Sequence, residues 1–185
     1  MKFPPKAESV TVKGAQDGFS PPLAYEAQVI PGGHTRLLVS APPERLAEVH
    51  RALLTVLEPP FRVLYRQLTD RATGQLPKPI DHVAVELPAE TVQSVLVHCS
   101  TLVYHDGRHQ LWVRGPGTEQ VVLEELGVIF VYPDDPSFRD TLLALGLPER
   151  ASQTLSERDY VKVNFVAEAD AQEKMLIGAL GLVRW

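Results

Sequence analysis

The 185-residue chain is 44% hydrophobic and 22% charged, enough to bury a core without disulfides or a structural metal. Its 23 acidic and 18 basic residues give a formal charge of −5, which excludes a surface built throughout to neutralise phosphates, and its one cysteine, Cys99, excludes an intramolecular disulfide. No run approaches the roughly 18 uninterrupted apolar residues of a membrane span, and the opening MetLysPheProProLys lacks the apolar stretch of a signal peptide. The expectation is a cytoplasmic protein without nucleic-acid or membrane partners, organised as a single α+β domain over 1–185 with an N-terminal hairpin extension at about 9–41.

The N-terminal part alternates weakly over Ser9 to Lys13 and breaks at Asp17 to Pro22. Pro31-Gly32-Gly33 is turn chemistry between LeuAlaTyrGluAlaGlnValIle and ThrArgLeuLeuValSerAla, which predicts a hairpin with strands near 23–30 and 35–41. Pro42 and Pro43 suit a helical first turn, Glu44 complements its dipole, and Leu46, Val49, Leu53, Val56 and Leu57 form one apolar stripe that Pro59-Pro60 ends. Phe61 to Leu68 is rich in strand formers, and Asp70 to Pro79 is broken enough to predict a loop. His82 to Leu87 predicts a strand. From Pro88 onward, Val92, Val95, Leu96, Cys99, Leu102 and Val103 share a helical face, with Gly107 expected as a left-handed cap.

His109 to Arg114, the turn Gly115 to Thr118 and the run from Gln120 predict a second hairpin, with Val128 to Tyr132 a further strand or the continuation of a bulged one. Asp135-Pro136 caps and opens a short helix that Gly146 stops. Residues 148–158 read as loop, Tyr160 to Val166 as a strand, and Ala169 to Val183 as a terminal helix weakened by Gly178 and Gly181. Residues 35–114 parse as βαββαβ, the ferredoxin-like arrangement, and 82–166 parse almost as well. The expected fold is therefore α+β: an antiparallel ferredoxin-like sheet, helices mainly on one face, extended by extra strands and a C-terminal helix.

Charge is unevenly spread. Arg36 to Lys78 holds seven basic and four acidic residues, whereas Glu119 to Glu173 holds twelve acidic and four basic. A shared acidic face would attract a basic protein or a cation. Glu124, Glu125, Asp134 and Asp140 are the candidate binding residues for such a partner. A carboxylate pair for acid–base work would need an environment that separates two pKa values, and strand alternation would point Glu124 and Glu125 to opposite sides.

Other constellations are weaker. His98 and Cys99 would stand about 100° apart on a helix, so the thiol reads as a buried, inert group. His105 and His109 have zinc-ligand spacing, but Gly107 interrupts the helix between them, which leaves an exposed polar turn as the plainer reading. Arg62 and Arg66 share a strand face with Leu64 between them. That pattern suits an anion site or a charge-protected edge strand. Single-stranded RNA platforms also use basic, aromatic strands, but Phe61, Val63 and Tyr65 would point to the other face. No phosphate loop, dinucleotide fingerprint, nucleophile elbow, HExxH or CxxC is present.

These features lead to a non-enzymatic binding protein, of the acidic inhibitor or immunity type, engaging a basic partner, with no cofactor. A small enzyme or metal-binding domain using His105, His109 and acidic residues in a cleft beside 70–80 is the first alternative, and a dimerising structural subunit the second.

Overall fold

The computed structural model describes residues 4–70, 74–163 and 166–185. These run β1 (Ala7–Ser9), β2 (Ala24–Val29), β3 (Thr35–Ser40), α1 (Pro43–Leu54), β4 (Phe61–Asp70), β5 (Gly74–Leu87), α2 (Ala89–His98), α3 (Ser100–His105), β6 (His109–Arg114), β7 (Gln120–Leu123), β8 (Ile129–Tyr132), α4 (Pro136–Ala144), β9 (Tyr160–Lys162), α5 (Ala167–Ala179) and β10 (Val183–Arg184). Eight strands form one sheet in the order β10-β5-β4-β6-β7-β8-β3-β2, every pair antiparallel, while β1 and β9 pair separately. No helix among the described residues is long and apolar enough to cross a membrane.

The α+β class holds, with a large antiparallel sheet and five helices among the described residues. The ferredoxin-like order does not. That order would set the strands before α1 and before α2 side by side, yet β3 and β5 lie far apart in the sheet. Short turns explain this. The segment after β6 folds back twice, at Gly115–Thr118 and at the Glu124–Val128 turn, so the β6-β7-β8 meander occupies the place beside β3. Gly127, at φ +82, makes the second turn possible and separates β7 from β8.

Strand alternation sorts the sheet into two faces. Tyr25, Leu37, Val39, Phe61, Val63, Tyr65, Leu111, Val113, Val121, Leu123, Ile129 and Val131 share a single core with buried residues of all five helices. The alternate positions, among them Arg62, Leu64, Arg66, Trp112, Arg114 and Phe130, lie outside that core, so on β4 to β8 the second face carries no helix among the described residues. The predicted stripe of α2 and α3 is buried throughout, although Cys99 (φ −101, ψ 26) breaks it into two helices.

Four local expectations are corrected. The predicted loop at 70–79 carries strand from Gly74 onward: between the pairs Thr69–Gln75 and Gln67–Ile80 the ladder shifts register, and Pro77 and Pro79 fall in that irregular stretch, where no donor is required of them. Arg71 to Thr73 lie outside the described residues. The strand predicted for Tyr160 to Val166 is only β9, paired with β1 outside the main sheet, and its end at Asn164 and Phe165 lies outside the described residues. The terminal helix ends at Ala179; Gly181, at φ +60, turns the chain so that β10 pairs with β5. Gly107 is not a left-handed cap but a point of close approach: a Cβ there would stand 2.5 Å from the Lys6 carbonyl oxygen and 3.0 Å from that of Glu125.

Candidate functional site

The helix-free face carries a pocket of about 260 Å³ lined by Arg62, Leu64, Asp81, Val83, Trp112, Arg114, Gln120 and Trp185. β4 supplies Arg62 and Leu64 two residues apart, β6 supplies Trp112 and Arg114 by the same alternation, β5 supplies Asp81 and Val83, and the turn at Gly181 returns the chain so that Trp185 reaches the rim. The edge-strand reading of Arg62 and Arg66 fails, because β4 lies inside the sheet between β5 and β6.

Two features mark this pocket. First, Arg62 and Arg114 are direct cross-strand partners, an arrangement of like charges that destabilises a sheet. Arg114 donates Nε and Nη2 to the Gly117 carbonyl at 3.1 and 2.9 Å. Arg62 has no hydrogen-bond or ion-pair partner among the described residues. Asp81 does not pair with it; both its oxygens accept from Arg66 at 2.8 Å. That pair raises the Arg66 pKa and lowers that of Asp81, chiefly through the hydrogen bonds. Glu86 sits in the bulge between the pairs Phe61–Leu87 and Val63–Ala84, opposite Arg62, without pairing with it. At φ 58 it is the one non-glycine residue with positive φ among those described.

Second, the chain has two tryptophans and both line this pocket. Trp112 is held: its Nε1 donates to Gln110 Oε1 at 3.2 Å, and the Arg66 guanidinium lies 5.7 Å from its ring centroid. Trp185 is 85% exposed.

A second polar constellation lies on the helix-covered face and is buried. Lys6, 1% exposed, donates from Nζ to the Val103 carbonyl at 2.8 Å and lies 3.5 Å from His109 Nε2. Burial lowers its pKa to about 7. His50 pairs with the Tyr104 hydroxyl at 3.1 Å, and burial lowers its pKa to about 3. Burial, then the charges of Lys6 and Arg108, lower that of His109 as well. The His109 ring stacks on Tyr65 at 4.9 Å, and the Tyr65 hydroxyl donates to Glu173. Arg108 closes the network on Asp106 at 2.9 Å, Asp170 at 2.8 Å and Glu173 at 3.4 Å. His50 Nε2 and His109 Nδ1 lack partners, in keeping with neutral rings in a dry core.

The sequence-derived candidates are distributed as follows. β7 ends at Leu123, so Glu124 and Glu125 lie in the turn beyond it and strand alternation does not separate them. Their pKa values diverge. Burial and then the charge of Glu125 raise Glu124 to about 7. At Glu125 burial is outweighed by hydrogen bonds from Gln110 at 2.7 Å and Lys162 at 3.3 Å, which leave it lowered. Asp134 lies beyond the other end of β8, a separation of roughly 13 Å at about 3.3 Å per residue, and pairs bidentately with Arg139 at 2.6 and 2.7 Å. Asp140 is exposed on α4, and Asp135 caps that helix by accepting from Ser137 N at 2.9 Å.

The expected exposed histidine turn is corrected. His109 faces the core as the first residue of β6 and is fully buried, while His105 Nδ1 lies 2.6 Å from the Pro4 carbonyl oxygen. Among the described residues no three His, Cys, Asp or Glu side chains gather in a metal-holding group. Cys99 is buried, its thiol pKa raised by burial.

Sequence reasoning noted Arg62 but missed Trp112, Arg114 and Trp185. The alternation of Gln110, Trp112 and Arg114 put two of these on one face; their pairing with β4 and the return of Trp185 are long-range. Comparison with protein-family models, with curated proteins and with solved structures returned no match to this chain.

Proposed function

We propose that this chain is a non-enzymatic binding protein that receives an acidic segment of a partner protein on the helix-free face of its sheet. The observation that carries this reading is Arg62 set opposite Arg114 with no carboxylate among the described residues pairing with either, on a sheet face that none of the described helices covers. An opposed arginine pair lowers stability in the free protein and becomes favourable when a carboxylate is placed between them. Arginine and tryptophan are also the side chains on which binding energy concentrates at protein interfaces. A single-stranded nucleic acid would use the same residue types. It is disfavoured by the net charge of −5, by Asp81 in the pocket and Glu86 opposite Arg62, and by Arg36, whose guanidinium lies 3.9 Å over the Phe130 ring and occupies that stacking surface.

The competing assignment places a basic partner on Glu124, Glu125, Asp134 and Asp140. A direct test is affinity capture from host extract with three baits: the unaltered protein, the variant R62E/R114E, and the variant E124K/D134K/D140K. Captured proteins are identified by mass spectrometry and crosslinked before digestion. The expected result is one protein lost with R62E/R114E, retained with the other variant, and crosslinked through an Asp/Glu-rich segment near β4 and β6. Loss confined to the second variant assigns docking to the carboxylates and a basic partner. Nuclease-sensitive capture assigns a nucleic acid, and capture indifferent to both variants overturns the proposal.

A further inference from the structure

Resting on the reading of that face as a docking surface, we infer that the pocket between Trp112 and Trp185 is a specific receptor for one aromatic carboxylate, a single ring joined to a planar acid group. Size is the first argument. At about 260 Å³ the pocket lies below the roughly 300–1,000 Å³ of sites for drug-sized molecules, so its occupant is one side chain or one small ring. Its chemistry is divided in two. Leu64, Val83 and the two indoles supply apolar and aromatic surface, whereas Arg62 and Arg114 supply cationic donors at one end.

The aromatic half is built unevenly. Trp112 is a fixed wall, tied by Gln110 and flanked by Arg66. Trp185 is a large apolar surface left in water at the rim, free to stack on a ring that enters. The cationic half favours a carboxylate over a bulkier anion. Arg114 has committed Nε and Nη2 to Gly117, so only its remaining edge is available, while Arg62 keeps its whole planar fork. One complete fork and one further donor match two coplanar oxygens. Asp81 is paired with Arg66 through both oxygens and makes no hydrogen bond or ion pair with Arg62 or Arg114 among the described residues.

Because both tryptophans of the chain line the pocket, intrinsic fluorescence of the whole protein reports its occupancy. The probes are N-acetylphenylalanine, its carboxamide, acetate, inorganic phosphate and a short acidic peptide ending in a phenylalanine carboxylate. N-acetylphenylalanine is expected to give a saturable change, with the carboxamide and acetate at least tenfold weaker. R62Q is expected to lose at least tenfold in affinity without a fall in Tm, and W185F to weaken the ring-bearing acid while leaving acetate unaffected. Tighter binding of the peptide identifies a chain terminus as the natural source; equal binding identifies a free aromatic acid.

Equal binding of the carboxamide would reduce the pocket to an apolar slot, and equal binding of acetate or phosphate to a plain anion site; either result overturns the inference, as does the absence of any saturable change. Failure here is distinguishable from failure of the docking reading. If the aromatic acids do not bind while R62E/R114E still loses its protein partner, the docking face stands and the pocket assignment falls. If they bind while capture is indifferent to R62E/R114E, the pocket stands and the docking face falls.

Discussion

The two polar regions of this protein treat charge in opposite ways. In the buried network around Lys6, His109 and Arg108, each guanidinium or carboxylate meets a counter-charge or a hydrogen-bonding group, and the bases that cannot be matched have lowered pKa values, Lys6 to about 7 and His50 to about 3. On the helix-free face, Arg62 and Arg114 stand opposite each other unneutralised, beside a tryptophan 85% exposed. A buried charge must be answered from within the chain, because its desolvation would otherwise unfold the protein. An exposed charge carries no such obligation, so a mismatch there persists at small cost and remains open to an external group. Dense polar chemistry in the interior therefore marks what holds β6, α3, α5 and the N-terminal segment together, and the sparse, unmatched chemistry outside is where the proposed docking is to be tested.

Breaking the buried side gives the largest effects. Replacing Arg108 by Met leaves Asp106 buried without its counter-ion and is expected to cost about 3–5 kcal/mol, read as a lowered midpoint in urea denaturation. A loss below about 1 kcal/mol would mean that the network is not the lock described.

Next in size is a pH effect with a definite sign. With the folded pKa of Lys6 lowered to about 7 from 10.5, the unfolded chain binds more protons between those values, so stability rises with pH above 7 and is flat for this group below it. The window from about pH 7 to 9 is the cleanest, since the raised pKa values of Cys99 and Tyr104 act at or above its upper edge with the opposite sign. The gain approaches about 1.4 kcal/mol per pH unit, and K6M is expected to flatten it in denaturation curves taken across that window. Below pH 6.5 the neutral His50 and His109 both make stability fall as pH falls, while Glu124, raised to about 7, opposes this between 4.5 and 7; H50F is expected to reduce the fall without abolishing it, and E124Q to steepen it.

Removing the Tyr65 hydroxyl as Y65F takes one donor from Glu173, which keeps Arg108 as a partner, and is expected to cost about 1.5 kcal/mol by the same assay. The smallest effect carries the sharpest contrast. R62E places a carboxylate opposite Arg114 and is expected to raise stability by about 0.2–1 kcal/mol while abolishing partner capture. A variant that is both more stable and inactive is the signature of a residue kept for binding; destabilisation by R62E would place Arg62 in the structural half of the comparison.

Much of the architecture was legible locally. The β2–β3 hairpin follows from its Pro-Gly-Gly turn, α1 from its first-turn prolines and apolar stripe, the α4 cap from Asp135, and the opposed faces of β4 from simple alternation. The site was half legible. Arg62 was visible as part of a basic strand face, but its meaning depended on what lay across the strand, and Arg114 is 52 residues away in sequence. Trp185 was hidden further, because the helical reading ran through Gly181 and concealed β10.

The chain alone determined composition class, the position of most elements and the opposed faces of β4, since these depend on side-chain period, propensity and turn chemistry within a few residues. Strand order, the core placement of His109 and Lys6, and the gathering of two arginines with two tryptophans were decided only by tertiary structure. These depend on which strands pair, and pairing is settled by the burial of a shared apolar face and the shortness of the β6-β7-β8 turns, a competition among distant segments that local pattern does not encode.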